Sequence, residues 1–81
     1  MKIQAEVSIY PLRKDDLASP IRQFVDGLEN NGLQIKIGSM SSLISGESQL
    51  LFESLGEQFR RLAEKYDVVL TAKISNACSR T

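Results

Sequence analysis

Glu6, Ser8 and Tyr10 are three residues with functional side chains that could act together. They alternate along the chain and would share one face of a β-strand. A carboxylate and a hydroxyl can orient a small ligand through hydrogen bonds, and an aromatic ring can pack against it. No histidine accompanies them, because the chain contains none. The missing histidine disfavours catalysis by these residues.

The usual catalytic and metal-binding arrangements do not occur in the sequence. Without histidine the chain lacks the usual general base near neutral pH and every histidine-containing metal site. Cys78 is the only cysteine, so neither an intrachain disulfide nor a thiolate cluster can form. Asp15 and Asp16 are adjacent without further oxygen ligands in range, which favours a solvated turn. We expect no enzymatic activity, no metal ion and no cofactor.

Length and charge restrict the partners further. Eighty-one residues form one compact domain, which we place over residues 1–81. Ten basic residues balance ten acidic ones, so the excess positive charge of a nucleic-acid-binding protein is missing. No run approaches the roughly 18 apolar residues of a membrane span, and the first ten residues lack the apolar segment of a signal peptide. We expect a cytoplasmic protein that neither binds nucleic acid nor inserts into a membrane.

Hydrophobic periodicity predicts the six elements that would position these residues. Alternating apolar residues predict strands over residues 2–10, 33–37 and 67–75, and a shorter strand is expected over residues 41–45. Apolar residues at spacings of three and four predict a helix over residues 20–30, with Ser19 as its N-cap. The same spacing predicts a longer second helix, with Glu47 in its first turn and Tyr66 near its end.

This order of elements is typical of the ferredoxin-like βαββαβ plan, an α+β two-layer sandwich with a four-stranded antiparallel sheet. Right-handed crossovers place the first and third strands at the centre of the sheet. Both helices would then cover one sheet face. We expect the other face, here called the open face, to carry Glu6, Ser8 and Tyr10 together with Val69 and Ile44.

The open face has two interpretations. It would be solvated if Glu6 simply lies near Lys36 or Lys73 in an ordinary cross-strand pair. It would instead be functional if it packs on a second copy of the chain and traps pockets whose polar groups orient a small ligand. Periodicity by itself favours the solvated face.

Two segments, however, resemble a known family. They are residues 5–12, AEVSIYPL, and residues 37–47, IGSMSSLISGE. Together they resemble the thiamine-binding family that includes the YkoF-like thiamin and hydroxymethylpyrimidine-binding proteins, and the similarity spans almost the whole chain. The resemblance implies a ferredoxin-like fold, assembly through open sheet faces as a homodimer or homotetramer, and noncatalytic binding of thiamine or its hydroxymethylpyrimidine moiety.

The resemblance also implies particular contacts. A threonine that contacts the pyrimidine in ligand-binding members matches Ser42, which keeps the hydroxyl and loses the methyl group. A second contact matches Ile9, whose side chain would point toward the helices, so that its contact would come from the backbone. We add the hypothesis that Glu6 accepts from the pyrimidine amine or offsets the thiazolium charge, that Ser8 and Ser42 supply hydroxyls, and that Tyr10 forms a flat wall.

A structural or regulatory interaction module is the alternative. In that case the open face serves only oligomerisation, Glu6 forms a pair with a lysine, Tyr10 is an interface aromatic and Ser42 belongs to a turn. Saturable binding of a heterocycle without turnover would distinguish a binding protein from such a module.

Overall fold

The structure is a computed structural model that describes residues 1–13 and 15–77. It confirms the α+β ferredoxin-like βαββαβ arrangement, and Cys78 lies outside the described residues. The elements in chain order are β1 (Lys2–Leu12), α1 (Ala18–Asn30), β2 (Gln34–Ile37), β3 (Ser42–Glu47), α2 (Ser48–Ala63) and β4 (Asp67–Ser75).

The four strands form one antiparallel sheet in the order β2-β3-β1-β4, which confirms the expected central positions of β1 and β3. β1 pairs with β3 from Lys2 opposite Glu47 to Val7 opposite Ser42. Its pairing with β4 continues as far as Leu12 opposite Asp67. The second half of β1 therefore has β4 on one side and no ladder partner in β3 on the other.

One face of the sheet carries the hydrophobic core, which lies under the two helices. Alternate residues of β1 enter it because the side-chain period of a strand is two. Within the described residues the buried cluster comprises Ile3, Ala5, Val7, Phe24, Leu28, Leu33, Ile44, Leu51, Leu55 and Leu62. Each helix contributes an apolar stripe at the spacing that the sequence shows.

Ile44 belongs to this core, and its expected place on the open face is wrong. It pairs with Ala5 in β1 and with Ile35 in β2, so its side chain points toward the helices and is fully buried. Leu43 occupies the open face instead. β3 also extends to Glu47, which precedes α2 rather than lying in its first turn.

Helix α1 begins two residues before the predicted start, and Ser19 is not its N-cap. The carboxylate of Asp16 accepts the backbone N–H groups of Ala18 at 3.1 Å and Ser19 at 3.4 Å, and the Ser19 hydroxyl at 2.7 Å. These bonds satisfy donors that the first turn of a helix leaves free. Asp16 therefore performs the capping function that the sequence assigns to Ser19.

The end of α1 turns the chain into β2 through a Schellman motif. Gly32 has a φ of 92°, and its N–H bonds to the carbonyl of Glu29, while the N–H of Leu33 bonds to the carbonyl of Leu28. Leu28 and Leu33 are both buried, which supplies the hydrophobic contact typical of this motif. The motif sets where β2 starts.

The two helices approach each other closely at Gly27. A Cβ built on Gly27 would lie 2.0 Å from Oε1 of the buried Gln58 in α2. Nearby, Nδ2 of Asn31 donates to Oγ of the buried Ser54 at 3.1 Å.

Within residues 1–13 and 15–77, no helix is both long and apolar enough to cross a membrane.

Candidate ligand-binding cleft

A cleft of about 130 Å³ lies between α1 and the end of the sheet at which β1 and β2 finish. Its floor is formed by alternate residues of the central and neighbouring strands, and its far wall by α1. The apolar part of the lining includes Val7, Ile9, Phe24, Ile35 and Ile44. The serines among the lining residues are Ser39, Ser41 and Ser42 on the loop side and Ser8 in β1.

Strand register brings Ile9 and Ser42 into this cleft. Ile9 follows Val7 by two residues, so both side chains project from β1 toward the helices. Ser42 is the partner of Val7 and of Ile37, which places it on the same side of the sheet. Both Ile9 and Ser42 are half-buried, so each remains accessible from the cleft.

The mouth of the cleft is formed by residues 38–41, here called the β2–β3 turn. The N–H of Gly38 donates to the carbonyl of Ser41 at 2.9 Å and closes the turn. A Cβ on Gly38 would lie 2.8 Å from that same oxygen, so only glycine fits without a shift. Ile37 and Met40 at the mouth are 67% and 87% exposed, which leaves an apolar rim in contact with solvent.

Two hydrogen bonds connect the β2–β3 turn to β1. Oγ of Ser8 donates to the carbonyl of Met40 at 3.2 Å, and Oγ of Ser41 donates to Oε2 of Glu6 at 3.2 Å. Both bonds occur where the pairing of β1 with β3 ends at Val7. Side chains therefore hold the turn against β1 at the point where the backbone ladder stops.

The lining carries no formal charge. Every described residue that borders the cleft is apolar, a glycine or a serine. Burying an ion without a partner is costly, whereas a hydroxyl can either donate to or accept from a neutral heterocycle. The cleft therefore suits an uncharged planar group better than a cation.

The five predicted site residues do not form one cluster. Ile9 and Ser42 lie together in the cleft, whereas Glu6 and Tyr10 project from the open face on the other side of the sheet. Ser8 lies at the border, since it lines the mouth and its hydroxyl bonds to the turn. The hypothesis that Ser42 contacts one ligand together with Glu6 and Tyr10 requires a shared strand face, which these residues do not have, because Ser42 is opposite Val7.

Phe24, Ile35 and Ile37 are lining residues that the sequence does not single out as site residues. Phe24 has the spacing of an ordinary core residue, and the two isoleucines continue a normal strand alternation. The one local signal is Gly38 directly after Ile37, because a glycine at a strand end often permits close approach of another backbone. Gly38 therefore indicates the turn but does not identify the residues that line the cleft.

A second cleft lies between the later parts of the two helices, and it is larger, at about 470 Å³. Charged residues of both signs border it, among them Asp26, Arg61, Glu64 and Lys65. Among the described residues that border it, Leu62 is the only one with a large apolar side chain, and none of the predicted site residues is included. We therefore take the smaller cleft beside Ser42 as the candidate site.

Comparison with known proteins places this geometry in context. The family model described as the YKOF-related Family matches residues 2–80. A comparison with curated protein sequences gave no match.

Several solved structures share the fold. A hypothetical protein from Methanocaldococcus jannascii has 22% identity and a TM-score of 0.84, with 93% of this chain and 79% of that chain covered. A Thermotoga maritima protein assigned provisionally to thiamine biosynthesis or salvage has 18% identity and a TM-score of 0.85, covering 98% and 87%. A Streptococcus pneumoniae protein has 21% identity and a TM-score of 0.84, covering 93% and 86%.

At these identities the solved structures show only the fold, whereas the family model matches nearly the full length of the chain and shows its family. The matched region includes every segment that lines the cleft, namely parts of β1, α1, β2 and β3 and the β2–β3 turn. This chain therefore belongs to the YKOF-related family.

Proposed function

We propose that this protein is a noncatalytic binding protein for thiamine or its hydroxymethylpyrimidine moiety, acting as a cytoplasmic homo-oligomer. Membership of the YKOF-related family supports a thiamine-related small-molecule ligand. The provisional assignment of the similar Thermotoga maritima protein to thiamine biosynthesis or salvage agrees with it. The observation that carries the proposal is the neutral cleft shared by Ile9 and Ser42.

The pyrimidine is the part of the ligand that the cleft suits. It is a flat, uncharged ring with nitrogen acceptors and an exocyclic amine donor, and Ser42 offers a hydroxyl that can pair with either. Phe24 and Ile35 offer apolar surface for the ring. At about 130 Å³ the cleft is well below the roughly 300–1,000 Å³ of sites for drug-sized ligands, so one ring fits better than two.

The thiazolium ring of thiamine would lie outside the cleft in this proposal. Its positive charge has no carboxylate partner among the described lining residues, and desolvating an unpaired cation is unfavourable. We therefore expect hydroxymethylpyrimidine to bind at least as tightly as thiamine. The contact from Ile9 would come from its apolar side chain rather than its backbone, because that side chain faces the cleft.

An interaction module remains the second candidate, and exposed apolar residues of the open face favour it. Tyr10, Leu12, Leu43 and Val69 are all substantially exposed there. A second copy of the chain covering them would serve assembly without any ligand. In the proposed function the same face supports the homo-oligomer, so ligand binding is the property that separates the two candidates.

Calorimetric titration with hydroxymethylpyrimidine and, separately, with thiamine tests the proposal. Ser42→Ala should weaken binding about two- to tenfold, since losing one hydrogen bond typically costs about 0.5–1.5 kcal/mol. Ser45→Ala is the matched control, because Ser45 lies on the same strand but faces the open side, where its hydroxyl bonds to Gln34. Recovery of unmodified ligand by mass spectrometry would agree with a noncatalytic role.

The outcomes are distinct. Saturable binding that Ser42→Ala weakens and Ser45→Ala leaves unchanged supports the proposal. A tight ligand at one hundred times its Kd should also stabilise the fold by about 2.7 kcal/mol, which a thermal melt can detect. If neither compound gives heat on titration or a shift in thermal stability, the proposal is contradicted and the interaction module is the remaining candidate.

A further inference from the structure

Residues 38–41 have no backbone ladder partner in β1, although they form the mouth of the cleft. The register of β1 and β3 ends with Val7 opposite Ser42, and from Ser8 onward β1 pairs with β4 only. Two side chains of β1 replace the missing ladder. They are Glu6, which accepts from Ser41 Oγ, and Ser8, whose Oγ donates to the carbonyl of Met40.

We infer that Glu6 and Ser8 are positioning residues that hold the mouth of the cleft in place from β1, rather than ligand contacts. Glu6 projects from the face opposite to the cleft, since its partners are Leu43 and Lys73 on the open side. A carboxylate there cannot touch a ligand beside Ser42. It can fix Ser41, the neighbour of Ser42 in the chain, and thereby the geometry of the wall.

Affinity for the ligand therefore depends on Glu6, although the ligand does not contact it. Ser41 and Ser42 are adjacent, and Ile37 is the strand partner of Ser42. Release of the turn would therefore displace both the hydroxyl and the apolar rim of the cleft. This inference rests on the proposed function for its binding readout, but the anchoring of the turn is measurable without any ligand.

The experiment compares Glu6→Ala, Glu6→Gln and Gln4→Ala. Glutamine keeps an acceptor oxygen for the Ser41 hydroxyl, so Glu6→Gln should bind hydroxymethylpyrimidine within about twofold of the wild type, whereas Glu6→Ala should bind about five- to tenfold more weakly. Gln4 lies on the same strand and face, opposite Ser45 and Ser75, away from the turn. Gln4→Ala should leave binding unchanged.

A measurement without ligand completes the test. Hydrogen exchange of the Gly38 amide, which bonds to the Ser41 carbonyl, reports how well the turn is closed. Exchange should accelerate in Glu6→Ala and in Ser8→Ala but not in Gln4→Ala or Glu6→Gln. Ser41→Ala should behave like Glu6→Ala, and combining the two should add little, because both remove the same hydrogen bond.

Several results would overturn the inference. Equal exchange of Gly38 in Glu6→Ala and Gln4→Ala would mean that Glu6 does not anchor the turn. Loss of binding in both Glu6→Ala and Glu6→Gln with unchanged Gly38 exchange would make Glu6 a direct ligand contact. If the wild type binds neither compound, the proposed function fails, and the Gly38 exchange still decides whether Glu6 and Ser8 hold the turn.

Discussion

Gly38 is the residue at which the mouth of the cleft is most sensitive to a single added carbon. Its Cβ would lie 2.8 Å from the Ser41 carbonyl oxygen, a backbone atom that cannot rotate away. Gly38→Ala should therefore open the β2–β3 turn and weaken hydroxymethylpyrimidine binding, with a stability loss of about 1–3 kcal/mol. Calorimetry and urea unfolding measure the two effects.

Gly56→Ala is the matched control for that substitution. A Cβ at Gly56 would have Arg60 Nη1 as its nearest neighbour at 3.6 Å, which is an ordinary contact. Alanine in the middle of α2 should stabilise the protein by about 0.5–1 kcal/mol. Unchanged binding in Gly38→Ala would show that the turn tolerates a Cβ and does not shape the cleft.

Gly32 offers a different test, because its conformation rather than its surroundings requires glycine. Its φ is 92°, and nothing lies within 4 Å of where a Cβ would be. Gly32→Ala should therefore lose about 1–2 kcal/mol of stability through left-handed strain alone, and Gly32→Asn should lose less. Denaturant unfolding measures both, and an alanine variant as stable as the wild type would contradict the Schellman geometry.

At the scale of elements, the start of α1 depends on one carboxylate. Asp16 accepts hydrogen bonds from the backbone of Ala18 and Ser19 and from the Ser19 hydroxyl. Asp16→Ala should destabilise the protein by about 1 kcal/mol. Asp15→Ala is the control, since none of these three bonds involves Asp15, and its midpoint in urea should stay near that of the wild type. An equal loss of stability in both variants would mean that negative charge, rather than the capping hydrogen bonds of Asp16, stabilises the start of α1.

The contact between α1 and α2 makes a second prediction for an element. Gly27→Ala would place a Cβ 2.0 Å from Oε1 of Gln58, which is only 5% exposed, so the amide of Gln58 would have to shift toward the second cleft that both residues border. We expect a loss of about 1–3 kcal/mol from overpacking. Adding Gln58→Ala should recover part of that loss, because it removes the clashing amide. Strictly additive losses in the double variant would mean that the helices do not meet at this point.

The elements themselves are largely predictable because their patterns are local. β1 and β4 alternate cleanly, and the helices repeat at three and four residues, so each reveals its buried face within a short window. β3 is different, because Leu43 and Ile44 are adjacent apolar residues and the sequence pattern does not show which of them faces the helices. Their faces are decided by the register that sets Ile44 opposite Ala5, and that pairing joins residues far apart in sequence.

The candidate site is less predictable for the same physical reason. Ser42 and Ile9 are identified only through the resemblance to a family, and the face of Ser42 follows from the register of β3. Phe24 looks like any core residue of an amphipathic helix, because a cleft wall and a core face have the same spacing. Asp16 and Ser19 are both suitable capping residues, and the hydrogen bonds alone show which of them performs the function.

At the scale of the whole molecule, the open face should govern self-association independently of the cleft. Tyr10 and Val69 are cross-strand partners there and are 51% and 44% exposed. In the proposed homo-oligomer, Val69→Lys should therefore prevent association and give a monomer, because an interface through the open face would have to desolvate a lysine. Light scattering measures the mass, and hydroxymethylpyrimidine binding should persist in the monomer if the cleft is complete within one chain.

Phe52→Lys is the control for that experiment. Phe52 is 55% exposed but lies on α2, away from the open face. The variant should keep the mass of the wild type. Dissociation by Phe52→Lys and not by Val69→Lys would place the interface on the helical layer instead.

The central position of β1 affects how the chain folds as it is synthesised. Among the four strands of this sheet β1 is synthesised before the others and β4 after them, yet from Gln4 to Leu12 the two strands are paired. Until the ribosome has released residues 67–75, one edge of β1 is bare, and a bare edge readily pairs with a strand of another chain. A nascent chain that stalls just before Asp67 therefore leaves one edge of β1 open to pairing with another chain, although it already contains both helices.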